Sequence, residues 1–445
     1  MTKRTNHPAT SGLRRVLHAI RQHPLIDNLV SLRGNPRACV YTEPLWGIPH
    51  ALYFPYMSVY MLALGVGDVS IGLLLTIGMV LQVVSAFLGS FITDRLGRRR
   101  TTFLFDFVSW SAPVFVWMIA QNFAFFLVAT ILNSTWQITS ISWSCLMTED
   151  AREDQLVGMY TWCTIAGLLA VFVAPISAWL VETRGLVPAM RMMLLFALIS
   201  MSTKFIVLHI FSEETEVGRQ RMAETKGQPL RAQLVEYIPV IRQMAASRPL
   251  RSMLLLMVLI NATMSITSSF YSLYVTQDLG IADQWLAYFP MLRSIIMLVF
   301  IFTVQTMLNR LHYRIPMSVG FVLFSLSQVL LLVSPPRQLV TLFLYVAFEA
   351  FGHALVIPHR DSLLARVVDP HERSRMYSVI YITVIFLTSP FGYIAGQLSN
   401  LDRRLPFALN TILYLLALLL IQRVRLLESD VSGSEPKLSE PGTEA

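Results

Sequence analysis

Glu349 and His353 stand four residues apart in the stretch LFLYVAFEAFGHALVIPHRDSLL. A helix therefore places this carboxylate and this imidazole on one face. Such a pair can take up and release a proton, or share a charge with a nearby arginine. Arg360 continues the stripe, and Arg293 lies in another apolar run. A second polar stripe, Asn133, Trp136, Gln137, Ser140 and Ser144, also follows helical spacing. A third group is the stretch GSFITDRLGRRR, which sets Asp94 among Arg95, Arg98, Arg99 and Arg100 between two long apolar runs. Its glycine, Gly97, suits a turn with unusual backbone angles and a close helix approach.

The elements that must position these groups are membrane spans. The chain has 445 residues, of which 54% are hydrophobic and only 14% charged, with a mean hydropathy of +0.56. A soluble domain carries about 25% charged residues. The net charge of +8 sits between apolar runs rather than on one polar face, which argues against nucleic acid and for membrane orientation. At about 20 apolar residues per crossing, twelve spans are expected. The first six run over 43–64, 69–92, 101–120, 123–147, 157–181 and 188–211. The second six run over 251–276, 284–308, 314–334, 338–361, 374–398 and 405–424. The expected architecture is an all-α membrane protein, with twelve transmembrane helices in two pseudo-symmetric six-helix bundles.

Charge sets the orientation. With the amino terminus inside, 27 of the 35 Lys and Arg fall in cytosolic segments or at their edges. Five fall outside: Arg184, Arg191, Arg337, Arg403 and Arg404. Lys204, Arg293 and Arg360 remain within spans. This is the asymmetry of the positive-inside rule. It predicts an integral plasma or inner membrane protein, multi-pass, with both termini cytosolic.

The two sets of six spans repeat each other. Gly65 and Asp68 match Gly280 and Asp283, Asp94-Arg95-Leu96 matches Asn309-Arg310-Leu311, and Pro175 matches Pro390, each at an offset of 215. Parallel repeats of this kind are a plan of secondary transporters. The expected organisation is a basic amphipathic amino terminus (1–40), a first bundle (41–211), and a cytosolic linker (212–250) with an amphipathic helix carrying Leu234, Ile238 and Ile241. A second bundle (251–425) and a disordered polar tail (426–445) follow. Pro175 and Pro390 remove a backbone donor and mark helix bends. Cys39, Cys145 and Cys163 have no metal-ligand spacing and suggest packing residues. No metal and no cofactor is expected. No phosphate-binding G-x-x-x-x-G-K-[ST] loop occurs in the sequence, which argues against a primary pump.

From Asp94 onward, GSFITDRLGRRR resembles the signature loop of the major facilitator superfamily, with Asp94, Arg95, Gly97, Arg98 and Arg99 in place. It departs at Ser90 and Ile92, where the pattern has glycine and leucine. The resemblance extends to the whole chain and implies a transporter in which two six-helix bundles rock around a central site. It implies that Asp94 contacts the start of span eleven as a conformational gate. It also implies that spans one, four, seven and ten line a cavity, which makes His50, Tyr53, Asn133, Trp136, Gln137, Asn261, Tyr271 and Arg293 substrate-cavity candidates. Tyr56 in span one and Trp143 in span four extend that set.

Glu349 lies about ten residues, or about 15 Å, inside its span, and Arg293 lies at similar depth. Three readings of Glu349, His353 and Arg293 stand side by side. Glu349 or His353 exchanges a proton during transport, or Arg293 and His353 bind an anionic part of the substrate, or Arg293 and Glu349 form a structural ion pair. The stripe on span four reads either as substrate contact or as glue between helices. Proton-driven exporters of the superfamily carry an arginine in span four and a Gly-Pro-rich span five; here span four has none and span five reads VAPISAW.

The sequence thus points to a secondary active transporter of a small molecule by alternating access. Proton coupling is one reading, efflux is favoured over uptake, and a monomer is expected in the bilayer. Two rivals remain, a membrane sensor on a transporter fold and a membrane enzyme. For the enzyme, His359, Arg360 and Asp361 form the best cluster, although it matches no nucleophile or metal motif.

Overall fold

The computed structural model describes residues 24–226, 242, 246–303, 312–367 and 373–423. The expected linker helix with Leu234, Ile238 and Ile241, most of the amino-terminal basic segment, the repeat match at Asn309–Leu311 and the polar tail lie outside the described residues. The described residues are helical, with no strand among them. Nine helices among them are long and apolar enough to cross a membrane.

Of the three expected spans beyond those nine, two have a physical reason for interruption and the third is described only in part. Span one contains Pro44, Pro49 and Pro55, and it divides into α1 (Pro44–Tyr53), a 3-10 turn (Phe54–Tyr56) and α2 (Met57–Ala63). Span three begins as α3 (Arg98–Asp106), loosens into a π turn over Phe107–Ser111, and resumes as α4 (Ala112–Met118). Pro113 lacks the N–H that would reach Ser109, and Asn133 Nδ2 donates to the Ser109 carbonyl instead, at 2.8 Å. Span eight, α5 (Tyr288–Thr303), is described for 16 residues, and 304–311 lie outside the described residues.

The chain separates into two compact units. Unit 1 comprises residues 1–66, 84–230 and 283–291, and unit 2 comprises 67–83, 231–282 and 292–445. In unit 1, α6 (Leu186–Phe211) packs against α1, α3 and α4, and α7 (Trp136–Thr148) lies on α3. Cys39 is fully buried in a core with Leu32, Leu146, Met147 and Leu208, as a small packing residue. Pro175 opens α8 (Ala174–Arg184) just after a 3-10 turn at Val171–Val173.

In unit 2, α9 (Arg314–Leu332) packs on α10 (Leu339–Val367) and on α11 (Leu405–Arg423). The amino-terminal part of α12 (Asp68–Leu96) meets α13 (Arg373–Leu401) through backbone. A Cβ at Gly72 would lie 2.4 Å from the Gly392 carbonyl oxygen and 2.8 Å from Gly396 Cα, so only glycine permits this approach. Pro390 lies inside α13 and frees the Phe386 carbonyl, which accepts from Ser389 Oγ at 2.8 Å. One step on, Thr76 Oγ1 donates to the Ser389 carbonyl at 2.8 Å and accepts from the Tyr393 N–H at 2.8 Å. A hydroxyl from the neighbouring helix is thereby inserted into the ladder at the proline, a recognised origin of helix bends. At the end of the same crossing, Asp68 accepts from Ser399 Oγ at 2.6 Å and from Arg403 Nε and Nη2 at 2.9 and 3.2 Å; Arg403 also reaches Asp278 at 3.3 Å.

Candidate functional site

The Asp94 loop is a clasp inside unit 1. Gly97 takes φ 88°, the left-handed region, and a Cβ there would strike the Glu214 carboxylate. That carboxylate accepts the Arg98 N–H at 2.7 Å and the Arg99 N–H at 3.1 Å, and so caps the positive end of α3. Asp94 pairs with the same arginine: its Oδ1 accepts from Arg98 Nη1 at 2.9 Å. Arg98 Nε bridges to both Glu149 oxygens at 3.1 Å, and Thr215 Oγ1 donates to Glu149 at 2.5 Å. Arg99 donates to the His209 carbonyl at 3.0 and 2.7 Å, and Arg95 lies over the Phe91 ring. Glu149 and Glu214 were missed; their signal was their place just beyond the ends of neighbouring apolar runs.

In unit 2, α10 brings Glu349 and His353 onto one face, with His353 Nε2 3.6 Å from Glu349 Oε1. Arg293 of α5 donates to Glu349 Oε2. The Glu349 side chain is 3% exposed and that of Arg293 37%. Tyr271 stacks on Tyr345 with centroids 5.1 Å apart, and both phenols lie within electrostatic reach of Glu349 and Arg293. His353 sits edge-on to Phe324. Of the three sequence readings, this geometry has the ion pair formed and the imidazole beside it. Asn261 is half-buried in α14 (Arg248–Leu273).

A second charged cluster lies in unit 1, and sequence reasoning did not assemble it. Lys204 of α6 donates to Glu43 Oε2 at 2.8 Å, with side-chain exposures of 6% and 17%. Its ammonium lies 5.8 Å from the ring centroids of both Trp46 and Trp143. Asp106, buried in α3, accepts from Thr139 Oγ1 at 2.6 Å. Glu43, Asp106 and Lys204 border a cavity of about 180 Å³ walled by Trp46, Trp110, Trp136 and Trp143. The indole N–H groups of Trp46 and Trp143 are buried without a hydrogen-bond partner among the described residues.

Of the span-one and span-four candidates, Trp136 lines this cavity. His50 stacks between Trp46 and Phe54, at 4.8 and 4.7 Å. Tyr53 and Tyr56 are fully buried packing residues. Asn133 serves the Ser109 carbonyl, which is the glue reading of its stripe. Gln137 is half-buried beside Gly89. Asp106 carried a legible signal, a lone acid within an apolar run four residues before Trp110. The His359–Asp361 stretch forms no nucleophile pair: His359 Nδ1 meets the Leu355 carbonyl at 2.7 Å and Arg360 pairs with Asp361.

The sequence pattern of the Major Facilitator Superfamily matches residues 47–312 and 253–443. No curated protein sequence matches the chain. Among solved structures, the nucleoside transporter NupG in a mutant form is similar, with a TM-score of 0.71 at 14% identity over 88% of this chain and 100% of that one. A POT family transporter in complex with 5-aminolevulinic acid gives 0.68 at 13% identity, over 89% of this chain and 97% of that one. A peptide transporter POT in a mutant form gives 0.66 at 13% identity, over 92% and 99%. The helical fold is that of these membrane transporters, and the chain belongs to the Major Facilitator Superfamily.

Proposed function

We propose that this protein is a secondary active transporter that moves a small polar molecule across the plasma or inner membrane by alternating access. Both termini lie in the cytosol, it works as a monomer, and export is its direction. The observation that carries this reading is the pair of ionisable clusters buried within spans of a superfamily member, one in each unit. Hydrocarbon does not tolerate such groups without a task or a partner. The nucleoside and peptide transporters of similar fold support a polar organic solute.

Proton coupling is assigned to Glu349 and His353. The charged and titratable groups facing Glu349 are Arg293, His353, Tyr271, Tyr345 and Tyr414. With Glu349 ionised, Arg293 is held; with Glu349 protonated, the arginine is released to a competing anion or to water. A second reading is favoured by one fact, that the Arg293–Glu349 pair is already formed: the pair is structural and coupling lies elsewhere. Proteoliposomes loaded with a panel of labelled metabolites and given a pH gradient separate the two. Under the first reading, accumulation by the double variant Glu349→Gln/His353→Gln becomes indifferent to the gradient. Retention of full gradient dependence rejects coupling at these residues.

A further inference from the structure

The cavity in unit 1 is built for a particular kind of charge. Its wall presents four indole rings, and its edge holds Glu43, Asp106 and Lys204. Indole faces attract cations, most strongly where water is excluded. The site already displays this preference, because the Lys204 ammonium sits against Trp46 and Trp143 while bonded to Glu43. That leaves two carboxylates against one ammonium. Glu43 is bonded to Lys204, whereas among the described residues Asp106 has the Thr139 hydroxyl alone as a hydrogen-bonding partner and shares the Lys204 charge with Glu43. A buried carboxylate without a cation is costly, so the cavity is one positive charge short. At about 180 Å³ there is room for a compact headgroup.

We infer that this cavity binds a small organic cation, a quaternary or primary ammonium. Its charge answers Asp106, and its methyl or methylene groups lie on the indole faces. This assignment rests on the transporter reading and names the substrate class of the same protein. A proton on Asp106 would neutralise the charge that the ligand neutralises, so acid competes with it. The charged groups facing Asp106 are Lys204 and Glu43, and the thiols of Cys39 and Cys163 face Lys204 and Glu43.

Three shape-matched probes test the inference by titration calorimetry on the purified full-length protein in detergent. They are choline, its neutral isostere 3,3-dimethyl-1-butanol, and the anion 3,3-dimethylbutanoate. Choline should bind at least tenfold more tightly than the neutral isostere, and the anion should not bind. Choline affinity should weaken at least tenfold in Asp106→Asn. The wild-type comparison stands even where that variant folds poorly. Equal binding of choline and the alcohol, or binding of none of the three, overturns the inference. The same preparation in proteoliposomes, given the labelled metabolite panel, separates the two claims. Solute movement without choline binding removes the cation site and leaves the transporter. Choline binding without movement of any solute, choline included, removes the transporter and leaves the site.

Discussion

In unit 1 a buried ammonium faces two carboxylates at the edge of a tryptophan-walled cavity; in unit 2 a guanidinium faces one carboxylate beside two stacked phenols. The second cluster is electrically closed, with one positive and one negative group and an imidazole as neighbour. The first is open by one charge and has room to spare. A balanced pair of charges suits a lock or a proton exchange. An unmatched carboxylate facing aromatic rings suits recognition of something not part of the chain. Two clusters of similar chemistry thus invite different readings because they differ in charge balance.

That contrast can be broken by mutation. The largest effect is expected from Lys204→Met, which strands two buried carboxylates. It should cost about 3–5 kcal/mol of stability, read as the largest fall in thermal-unfolding midpoint of the four variants. Adding Glu43→Gln to it should restore a large part of the loss; no restoration would mean that the pair is not the unit of stability. Glu349→Gln strands only Arg293, which keeps about a third of its side chain exposed. The expected loss is about 2 kcal/mol, discounted for that exposure. A loss equal to that of Lys204→Met would erase the distinction between the two clusters.

Two smaller effects calibrate the comparison by touching polar groups outside both clusters. Thr76→Val withdraws the hydroxyl that bridges the Ser389 carbonyl and the Tyr393 N–H, with an expected loss of about 1–2 kcal/mol. Asn133→Ala leaves the Ser109 carbonyl without its side-chain donor, with an expected loss of about 1 kcal/mol. Choline affinity should be unchanged in Asn133→Ala. A large change would return Asn133 to the substrate contacts and weaken the glue reading.

Much of this arrangement is legible in the chain itself, for physical reasons that also mark where legibility ends. The helix period alone brings Glu349 to His353, and the depth of Arg293 in an apolar run identifies it as a partner for a buried acid. The arginines of the 94–100 loop announce a clasp because they cannot enter the bilayer. The identity of their acceptors, Glu149 and Glu214, depends on how three loops converge, which no local pattern encodes. Lys204 and Glu43 are 161 residues apart. Glu43 reads as an ordinary span-edge residue before a proline, and Asp106 as a flaw in a hydrophobic run. Only packing of α6 on α1 and α3 makes them one site. The prolines in spans one and three were visible, but their result, a 3-10 turn and a π turn, depends on which neighbour supplies the missing donors.

The crossing of Gly72 with Gly392 and Gly396 has a further consequence. Where two helices touch chiefly through glycine backbone, few side chains lose rotamer freedom on contact or regain it on parting. The carbonyls and amides there are largely satisfied within their own helices, so the polar ties across the seam are the Thr76 hydroxyl beside Gly392 and the Asp68 carboxylate with Ser399 and Arg403 at its end. The shape of the main chain sets the register of such a seam, and those side-chain ties set most of what parting it would cost.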